Sequence, residues 1–278
     1  VGALSGRVSY VYKNIRDDWD QVDVARLPLY TVQRTATDPG PDGRVGTGDD
    51  QQLNVLDRPT AAAPTDLVQT NPDGYDSDFS TVEFAINRRF DGRWMALGSF
   101  GYTWLNQFHD SVQATTSAIE AAAIEKDFDW QPNYRLFGKE TSTLWNYKLV
   151  GRYTLPFEIG LSGSYKVQSG RNWGRVWSLA SATIDGVPGR TLNAGTEAIR
   201  VEPIDTRRAP TVQILDFRVD KGFTLPSNWG RAIVMVDVFN ALNRGTVTNF
   251  RMQTGATFQE VLGLLDPRIV RFGFRYEF

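Results

Sequence analysis

The chain has 278 residues, with 30 Lys and Arg against 32 Asp and Glu, and the resulting net charge of −2 argues against nucleic acid as a partner. It has no cysteine, which excludes disulfides and thiolate metal sites, and no run of about 18 apolar residues that would predict a transmembrane helix. The mean hydropathy of −0.34 is typical of a soluble protein, but it is a poor test for a β-barrel, because lumen-facing and lipid-facing residues alternate and cancel in such a protein.

Alternation of apolar and polar residues, in segments of about ten residues, is the dominant pattern along the chain. Because successive side chains of a strand point to opposite faces, each such segment predicts a β-strand with one apolar and one polar face. The segments, in chain order, are 4–13, 81–90, 93–104, 144–155, 157–168, 212–221, 231–240 and 268–278. Many aromatic residues stand near segment ends, as in the interfacial girdles of membrane barrels.

The last segment shows the alternation most clearly. One face carries Val270, Phe272, Phe274, Tyr276 and Phe278. The other face carries Arg271, Gly273, Arg275 and Glu277. An apolar row beside a charged row suits a strand with hydrocarbon on one side and water on the other. It also suits an amphipathic strand of a soluble sandwich.

The connections between segments alternate between short and long. Short turns lie at Asp91 and Gly92, at Pro156 and over 222–230. The long connections cover about 14–79, 105–142, 169–210 and 241–266. This asymmetry is typical of outer-membrane barrels, so the predicted fold is all-β: an antiparallel transmembrane β-barrel with long extracellular loops. Segment 20–33 is a weaker candidate for an extra strand, because Pro28 interrupts it.

A loop rich in Asp and Gly lies within the first long connection. Asp38, Asp42, Gly43 and Asp49 fall at relative positions 1, 5, 6 and 12 of an EF-hand calcium loop, and Asp50 adds a carboxylate. Position 3 is a glycine, however, and position 12 is Asp rather than the longer Glu. The loop predicts a calcium site at Asp38, Asp42, Asp49 and Asp50, with a solvated, turn-rich loop as the alternative. A second acidic patch comprises Asn71, Asp73, Asp76 and Asp78.

Catalytic chemistry has little support in the sequence, and the chain is not expected to be an enzyme. His109 is the single histidine and precedes Asp110, but no Ser or Cys nucleophile motif accompanies it. The alanine-rich segment 112–126 could form a short helix in the same loop. Asp237, Asn240 and Asn243 are interpreted as residues that bond the backbone at a strand exit rather than as ligands.

The polar faces of the predicted strands carry charges of both signs and are expected to form a hydrated lumen wall. The basic side chains are Arg7, Lys13, Arg89, Lys148, Arg152, Arg271 and Arg275. The acidic side chains are Glu83, Glu158 and Glu277.

Three motifs mark the C-terminal third, at 215–221 (LDFRVDK), 236–243 (VDVFNALN) and 271–278 (RFGFRYEF). They resemble the end of TonB-dependent outer-membrane receptors. The stretch from Tyr165 to Arg171 is similar to a strand-to-loop exit of that family. The acidic loop at 38–50 is similar to a loop of the large receptors that carry a carboxypeptidase-regulatory-like domain near the N-terminus.

The resemblance implies that residues 1–278 are the C-terminal segment of a receptor that takes up a nutrient ligand across the outer membrane of a Gram-negative cell. The family's barrel has about 22 strands around a plug, whereas this chain has about eight strands of such a larger barrel, no plug and no TonB box. Val1 opens directly into an alternating segment, so either a leader was removed or the chain is a piece of a longer protein.

The resemblance also implies partners. These are outer-membrane lipid, the remainder of the receptor with its plug and earlier strands, TonB through that plug, and the barrel-assembly machinery. That machinery would recognise the terminal aromatic residues, here Phe274, Tyr276 and Phe278. No cofactor is implied beyond calcium in the acidic loop.

Two other functions stay open. A self-contained eight-stranded outer-membrane barrel would act as an adhesin or a structural protein, since eight strands can close around a side-chain-filled interior. A soluble secreted β-sandwich would bind calcium or a glycan. A plug in the parent reading frame favours the receptor, a signal peptide directly before Val1 favours the small barrel, and solubility without detergent favours the sandwich.

Overall fold

The computed structural model describes residues 4–17, 20–71, 77–106, 132–135 and 141–278. These residues form antiparallel β-strands and short 3₁₀ turns, and they contain no α-helix. The strands are β1 (Leu4–Ile15), β2 (Asp20–Asp23), β3 (Val32–Asp38), β4 (Gln51–Asp57), β5 (Leu67–Thr70), β6 (Ser77–Arg88), β7 (Trp94–Asn106), β8 (Thr141–Leu155), β9 (Ile159–Gln168), β10 (Asn172–Trp173), β11 (Val176–Ser178), β12 (Ala182–Ile184), β13 (Val187–Arg190), β14 (Ala198–Arg200), β15 (Arg207–Arg208), β16 (Val212–Thr224), β17 (Arg231–Phe239), β18 (Val247–Phe250), β19 (Val261–Leu264) and β20 (Ile269–Glu277). The 3₁₀ turns are Leu27–Leu29, Pro132–Arg135, Pro156–Glu158 and Pro226–Asn228.

Eight of these strands form one antiparallel sheet in the order β1-β6-β7-β8-β9-β16-β17-β20. They are the eight strands that the alternation predicts, and the all-β, antiparallel fold is confirmed. The largest difference in bounds is at β6, which begins at Ser77 rather than at residue 81. In the described residues β1 pairs only with β6, and β20 pairs only with β17. The sheet therefore does not close on itself.

The strand register gathers the large apolar side chains on one side of the sheet, here named the apolar face. Val8, Phe84, Phe100 and Tyr147, for example, stand directly opposite one another on β1, β6, β7 and β8. More than a third of the surface is exposed at each of Leu4, Val8, Tyr10, Phe84, Ile86, Leu149, Leu161, Phe217, Val219, Val234, Phe272 and Phe274.

The other side of the sheet, here named the polar face, carries the alternate residues. Ser9, Glu83, Gly101, Asn146 and Gln168 form one of its rows across β1, β6, β7, β8 and β9. The two faces differ in polarity because the strand period is two and directly opposed residues point to the same side.

The long connections fold into small sheets, here named the loop layer (residues 20–71, 169–210 and 241–266). A four-stranded sheet, β13-β12-β3-β4, joins the first connection to the third. Its buried apolar cluster comprises Ala36, Leu53, Val55, Trp177, Leu179, Ala182, Ile184, Leu192, Ile199 and Val201. The hydrophobic core thus lies in the loop layer and not under the main sheet.

Segment 20–33, the candidate for one extra strand, is divided among three elements, so that prediction is wrong. β2 ends at Asp23 and pairs with β5, whereas β3 begins at Val32 and pairs with β4. Pro28 lies between them in a 3₁₀ turn. Proline has no amide hydrogen for a ladder bond, and the two strands belong to different sheets, which explains the poor alternation.

Only a short part of the second long connection is described, and Asn133 attaches it to the loop layer. The side-chain amide of Asn133 accepts the N–H of Leu56 at 2.7 Å and donates to the carbonyl oxygen of Leu56 at 2.8 Å, so it binds β4 like a neighbouring strand. It also donates to the buried Glu197. His109, Asp110 and the segment 112–126 lie outside the described residues.

Candidate functional site

Aromatic side chains border the apolar face at both ends. Trp94 and Trp104 lie on this face at opposite ends of β7, with 37% and 49% of their surfaces exposed. The strand rises by about 33 Å between them, and a tilt of about 40°, usual in membrane barrels, would reduce this to a height of about 25 Å. The apolar band of outer-membrane barrels is about 25 Å tall. The spacing of the two tryptophans therefore matches the thickness of such a band.

A straight row of polar side chains crosses the polar face. Arg152, Ser162, Arg218, Asp237 and Arg271 stand directly opposite one another on β8, β9, β16, β17 and β20. Asp237 accepts hydrogen bonds from Nε and Nη2 of Arg218 at 2.5 and 3.1 Å, and from Nε and Nη2 of Arg271 at 3.0 and 2.8 Å. One carboxylate, of which only 6% is exposed, is thus shared by two guanidinium groups that are 40% and 60% exposed.

A second ion pair passes over a whole strand. Nη1 and Nη2 of Arg152 on β8 donate to Oδ1 and Oδ2 of Asp220 on β16 at 2.8 and 3.0 Å, although β9 lies between them. The pair crosses at Gly160, where a Cβ atom would overlap both side chains. Glycine at this position leaves the space that the bidentate pair needs.

The predicted lumen wall is partly paired and exposed. Arg231 donates to Glu158 at 2.8 Å, and Arg7 lies 3.8 Å from Glu83. About half or more of each side chain is exposed, so these pairs contribute little stability. Arg89 lies just beyond the end of β6. The wall is therefore a polar surface with charges of both signs, as the sequence predicts.

The carboxylate of Asp38 forms an ion pair with a buried arginine. Nη1 and Nη2 of Arg175 donate to Oδ1 and Oδ2 of Asp38 at 2.8 and 2.5 Å, and the side chains are 1% and 0% exposed. Arg175 also donates to Oγ1 of Thr254 at 2.6 Å, so it ties together the first, third and fourth long connections. Burial opposes ionisation of the nearby Glu202, but hydrogen bonds from Arg207 and Arg175 outweigh it and lower the pKa of Glu202.

The other carboxylates of the acidic loop stabilise local turns. Asp42 accepts a backbone N–H two residues ahead at 2.8 Å, Asp49 accepts the Thr47 hydroxyl at 2.6 Å, and Asp50 accepts the Gly46 N–H at 2.7 Å. The bond from Thr47 holds the pKa of Asp49 below its usual value. Across the described ranges, no three Asp, Glu or His side chains form a group that could hold a metal ion. The calcium site stays a prediction, and local hydrogen bonds account for these carboxylates without it.

Two members of the second acidic patch are described, and each has a partner outside the patch. Asp78 accepts a hydrogen bond from Asn106 at 3.0 Å across β6 and β7. Asn71 donates to the backbone carbonyl oxygen of Asp17. Asp73 and Asp76 lie outside the described residues.

Two asparagines after β17 bond the backbone, which confirms their predicted role at a strand exit. Asn240 donates to the carbonyl oxygen of Asp266 at 2.7 Å, and Asn243 accepts the N–H of Arg268 at 2.9 Å. Both adopt a positive φ, which asparagine tolerates well. For Asp237 the same prediction is wrong, because its carboxylate is held by the two arginines of the polar row.

The three residues of the predicted assembly signal lie on or directly after the edge strand β20. Phe274 and Tyr276 point to the apolar face, and Phe278 follows the strand fully exposed. The hydroxyl of Tyr276 donates to the backbone of Trp229 in the turn before β17. Their recognition by the assembly machinery stays a prediction.

Sequence reasoning missed Arg218, Asp220 and Arg175. Alternation places Arg218 and Asp220 on the polar side of segment 212–221, but their partners depend on the register with two neighbouring strands. Arg175 lies in a long connection without periodic pattern, so nothing local distinguishes it from a solvated arginine.

No helix among the described residues is long and apolar enough to span a membrane. Comparison with known proteins gives no match to a family model, to a curated protein or to a solved structure.

Proposed function

We propose that this chain is the C-terminal part of the β-barrel of a TonB-dependent receptor in the Gram-negative outer membrane, where it takes part in uptake of a nutrient ligand. The observation that carries the proposal is the inverted distribution of apolar residues: exposed on one face of the main sheet, buried in the loop layer. Soluble monomers seldom expose apolar patches beyond a few hundred Å². In hydrocarbon, exposed apolar side chains carry no such penalty, because they are not in contact with water.

A soluble sandwich is less well supported. In that fold the apolar face would pack on a second sheet about 10 Å away. Among the described strands no such sheet covers it, and Phe272 and Phe274 remain 79% and 68% exposed.

The open edges favour a larger barrel over a self-contained one. A strand in hydrocarbon must have both of its edges paired, because no water is present to satisfy the backbone. A closed eight-stranded barrel would pair β1 with β20, yet each of these pairs on one side only in the described residues. Earlier strands of a receptor would supply both missing neighbours.

The layout also gives each part of the chain a role in a receptor. All four long connections leave the same end of the sheet, so the loop layer would face outward and meet the ligand first. The polar face would line the lumen next to the plug, and TonB would act through that plug. Lipid would contact the apolar face.

Paired single-cysteine variants test the membrane assignment, because the segment itself contains no cysteine. Phe84→Cys and Glu83→Cys are neighbours on opposite faces of β6. In the full-length receptor, with any cysteine outside the segment replaced by serine, each is labelled with a fluorophore and reconstituted into vesicles that contain nitroxide-labelled lipid. We expect strong quenching at position 84 and little at position 83. Equal quenching at the two positions, or protein that stays soluble without detergent, would refute the proposal.

The parent reading frame separates the receptor from the small barrel. A plug and about fourteen further strands before Val1 are expected for the receptor, given barrels of about 22 strands. A secretory signal peptide directly before Val1 would instead show the self-contained barrel.

A further inference from the structure

A trough on the polar face combines a cavity with an excess of cationic side chains. The cavity has a volume of about 370 Å³ and lies over β8, β9, β16, β17 and β20. Its floor is low, because Ser162 and Ser164 on β9 are short. The side chains that matter here are Arg152, Ser162, Ser164, Arg218, Asp237 and Arg271.

Two lysines stand beside the trough. Lys148 and Lys166 are directly opposed on β8 and β9, on the polar face and on the loop-layer side of the trough. Both are exposed, and in the described part of the chain neither takes part in an ion pair. Like charges directly opposite each other destabilise a sheet. A bound anion would reverse that effect.

The carboxylates nearby are already engaged. Asp220 is held by Arg152, and Asp237 is shared by Arg218 and Arg271. Asp216 accepts the backbone N–H of Asn240 at 2.9 Å. Five cationic side chains therefore surround three carboxylates that have partners, and the excess of positive charge is focused in a concave surface.

The two exposed arginines retain donors for a ligand. Arg218 and Arg271 both bond Asp237 through Nε and Nη2, which leaves Nη1 of each without a protein acceptor among the described residues. Guanidinium and ammonium groups form their strongest hydrogen bonds with carboxylate and phosphoryl oxygens.

We propose that the trough is a binding subsite for an anionic solute, which it holds through carboxylate or phosphoryl oxygens. Lys148 and Lys166 contact the anion from one side, Arg218 and Arg271 from the other, and the hydroxyls of Ser162 and Ser164 are further donors. The inference rests on the proposed function, since it makes the receptor's ligand an anion that passes along the lumen.

The test uses the full-length receptor in detergent micelles and two probes, inorganic pyrophosphate and glutarate, titrated by calorimetry at constant ionic strength. The double variant Lys148→Gln with Lys166→Gln removes two charges beside the trough. The matched control, Arg7→Gln with Lys13→Gln, removes two charges from the same face on β1. We expect saturable binding of at least one probe, weakened about tenfold or more in the first variant and unchanged in the control. Lys166→Arg, which keeps the charge, should retain binding.

Three outcomes would overturn the subsite. If the unmodified receptor shows no saturable binding, no solute occupies the trough. If binding appears only after the plug is removed, an acidic segment of the same protein fills the trough. Equal weakening in both double variants would mean general attraction by the wall. Each outcome leaves the proposed function in place as long as label quenching separates positions 84 and 83, whereas loss of that separation rejects the proposed function itself.

Discussion

At the residue scale, Arg175 has a large consequence for the loop layer because it is buried and its partners come from several connections. A buried ion pair is weak support for net stability, since both charges lose their hydration. Breaking such a pair from one side is costly, however, because the remaining charge stays buried. Asp38, at 0% side-chain exposure, is in that position.

We expect Arg175→Met to destabilise the loop layer locally by about 3–5 kcal/mol, since it leaves the Asp38 carboxylate unpaired. Amide hydrogen exchange, followed by mass spectrometry on peptides from 32–57 and 176–201, should accelerate by about 100-fold or more. Arg251→Met is the matched control, because Arg251 pairs with Glu260 at 3.5 Å and the two side chains are 37% and 50% exposed. It should cost at most about 1 kcal/mol. Similar acceleration in both variants would show that the buried pair has no special role.

At the element scale, the turn before β17 is coupled to the C-terminal strand. Gly230 has φ +98°, and a Cβ atom there would overlap the backbone carbonyl oxygen of Glu277 on β20. Gly92, in the turn between β6 and β7, has a similar φ of +92° but open space around it. The two glycines thus share backbone conformation and differ in their surroundings.

We expect Gly230→Ala to destabilise the sheet by about 1–3 kcal/mol more than Gly92→Ala. Both variants suffer the penalty of an alanine at positive φ, but only Gly230→Ala also displaces β20. Reversible urea unfolding of the full-length protein from lipid vesicles measures the difference. Equal losses would indicate that the last strand moves aside freely.

The strands of the main sheet were predictable because their pattern is local. Period-two alternation depends only on the two environments that flank a strand, so Val270, Phe272 and Phe274 identify β20 without knowledge of its neighbour. Partners were not predictable. Arg152 bonds Asp220 across β9 only because Gly160 leaves space, and that depends on the register of three strands.

The loop layer was not predictable for a related reason. β12 has three residues and pairs with β3 from another connection, so neither length nor alternation reveals it. Asp38 illustrates the effect on the candidate site: its spacing within the acidic loop fits a metal ligand, whereas the distant Arg175 determines what it binds. Long-range partners are absent from a local motif.

At the scale of the whole molecule, the apolar face of the sheet should tolerate a new charge less well than the polar face does. Phe100 lies on the apolar face of β7, close to the midpoint between Trp94 and Trp104, and Ser99 beside it lies on the polar face. In a membrane barrel Phe100 would therefore sit near the middle of the hydrocarbon, and Ser99 would face water.

We expect Phe100→Arg to lower the free energy of unfolding from lipid vesicles by about 2–4 kcal/mol, the cost of a cationic side chain at the bilayer midplane. Ser99→Arg should lower it by about 1 kcal/mol or less, since the new arginine faces water and its main cost is repulsion from Lys148, directly opposite on β8. The two variants carry the same new charge one residue apart, and Lys148 opposes only the one at position 99, so their difference is a lower bound on the difference between the two faces. A soluble sheet whose apolar face contacts water would tolerate Phe100→Arg as readily as Ser99→Arg, and that result would contradict a membrane location.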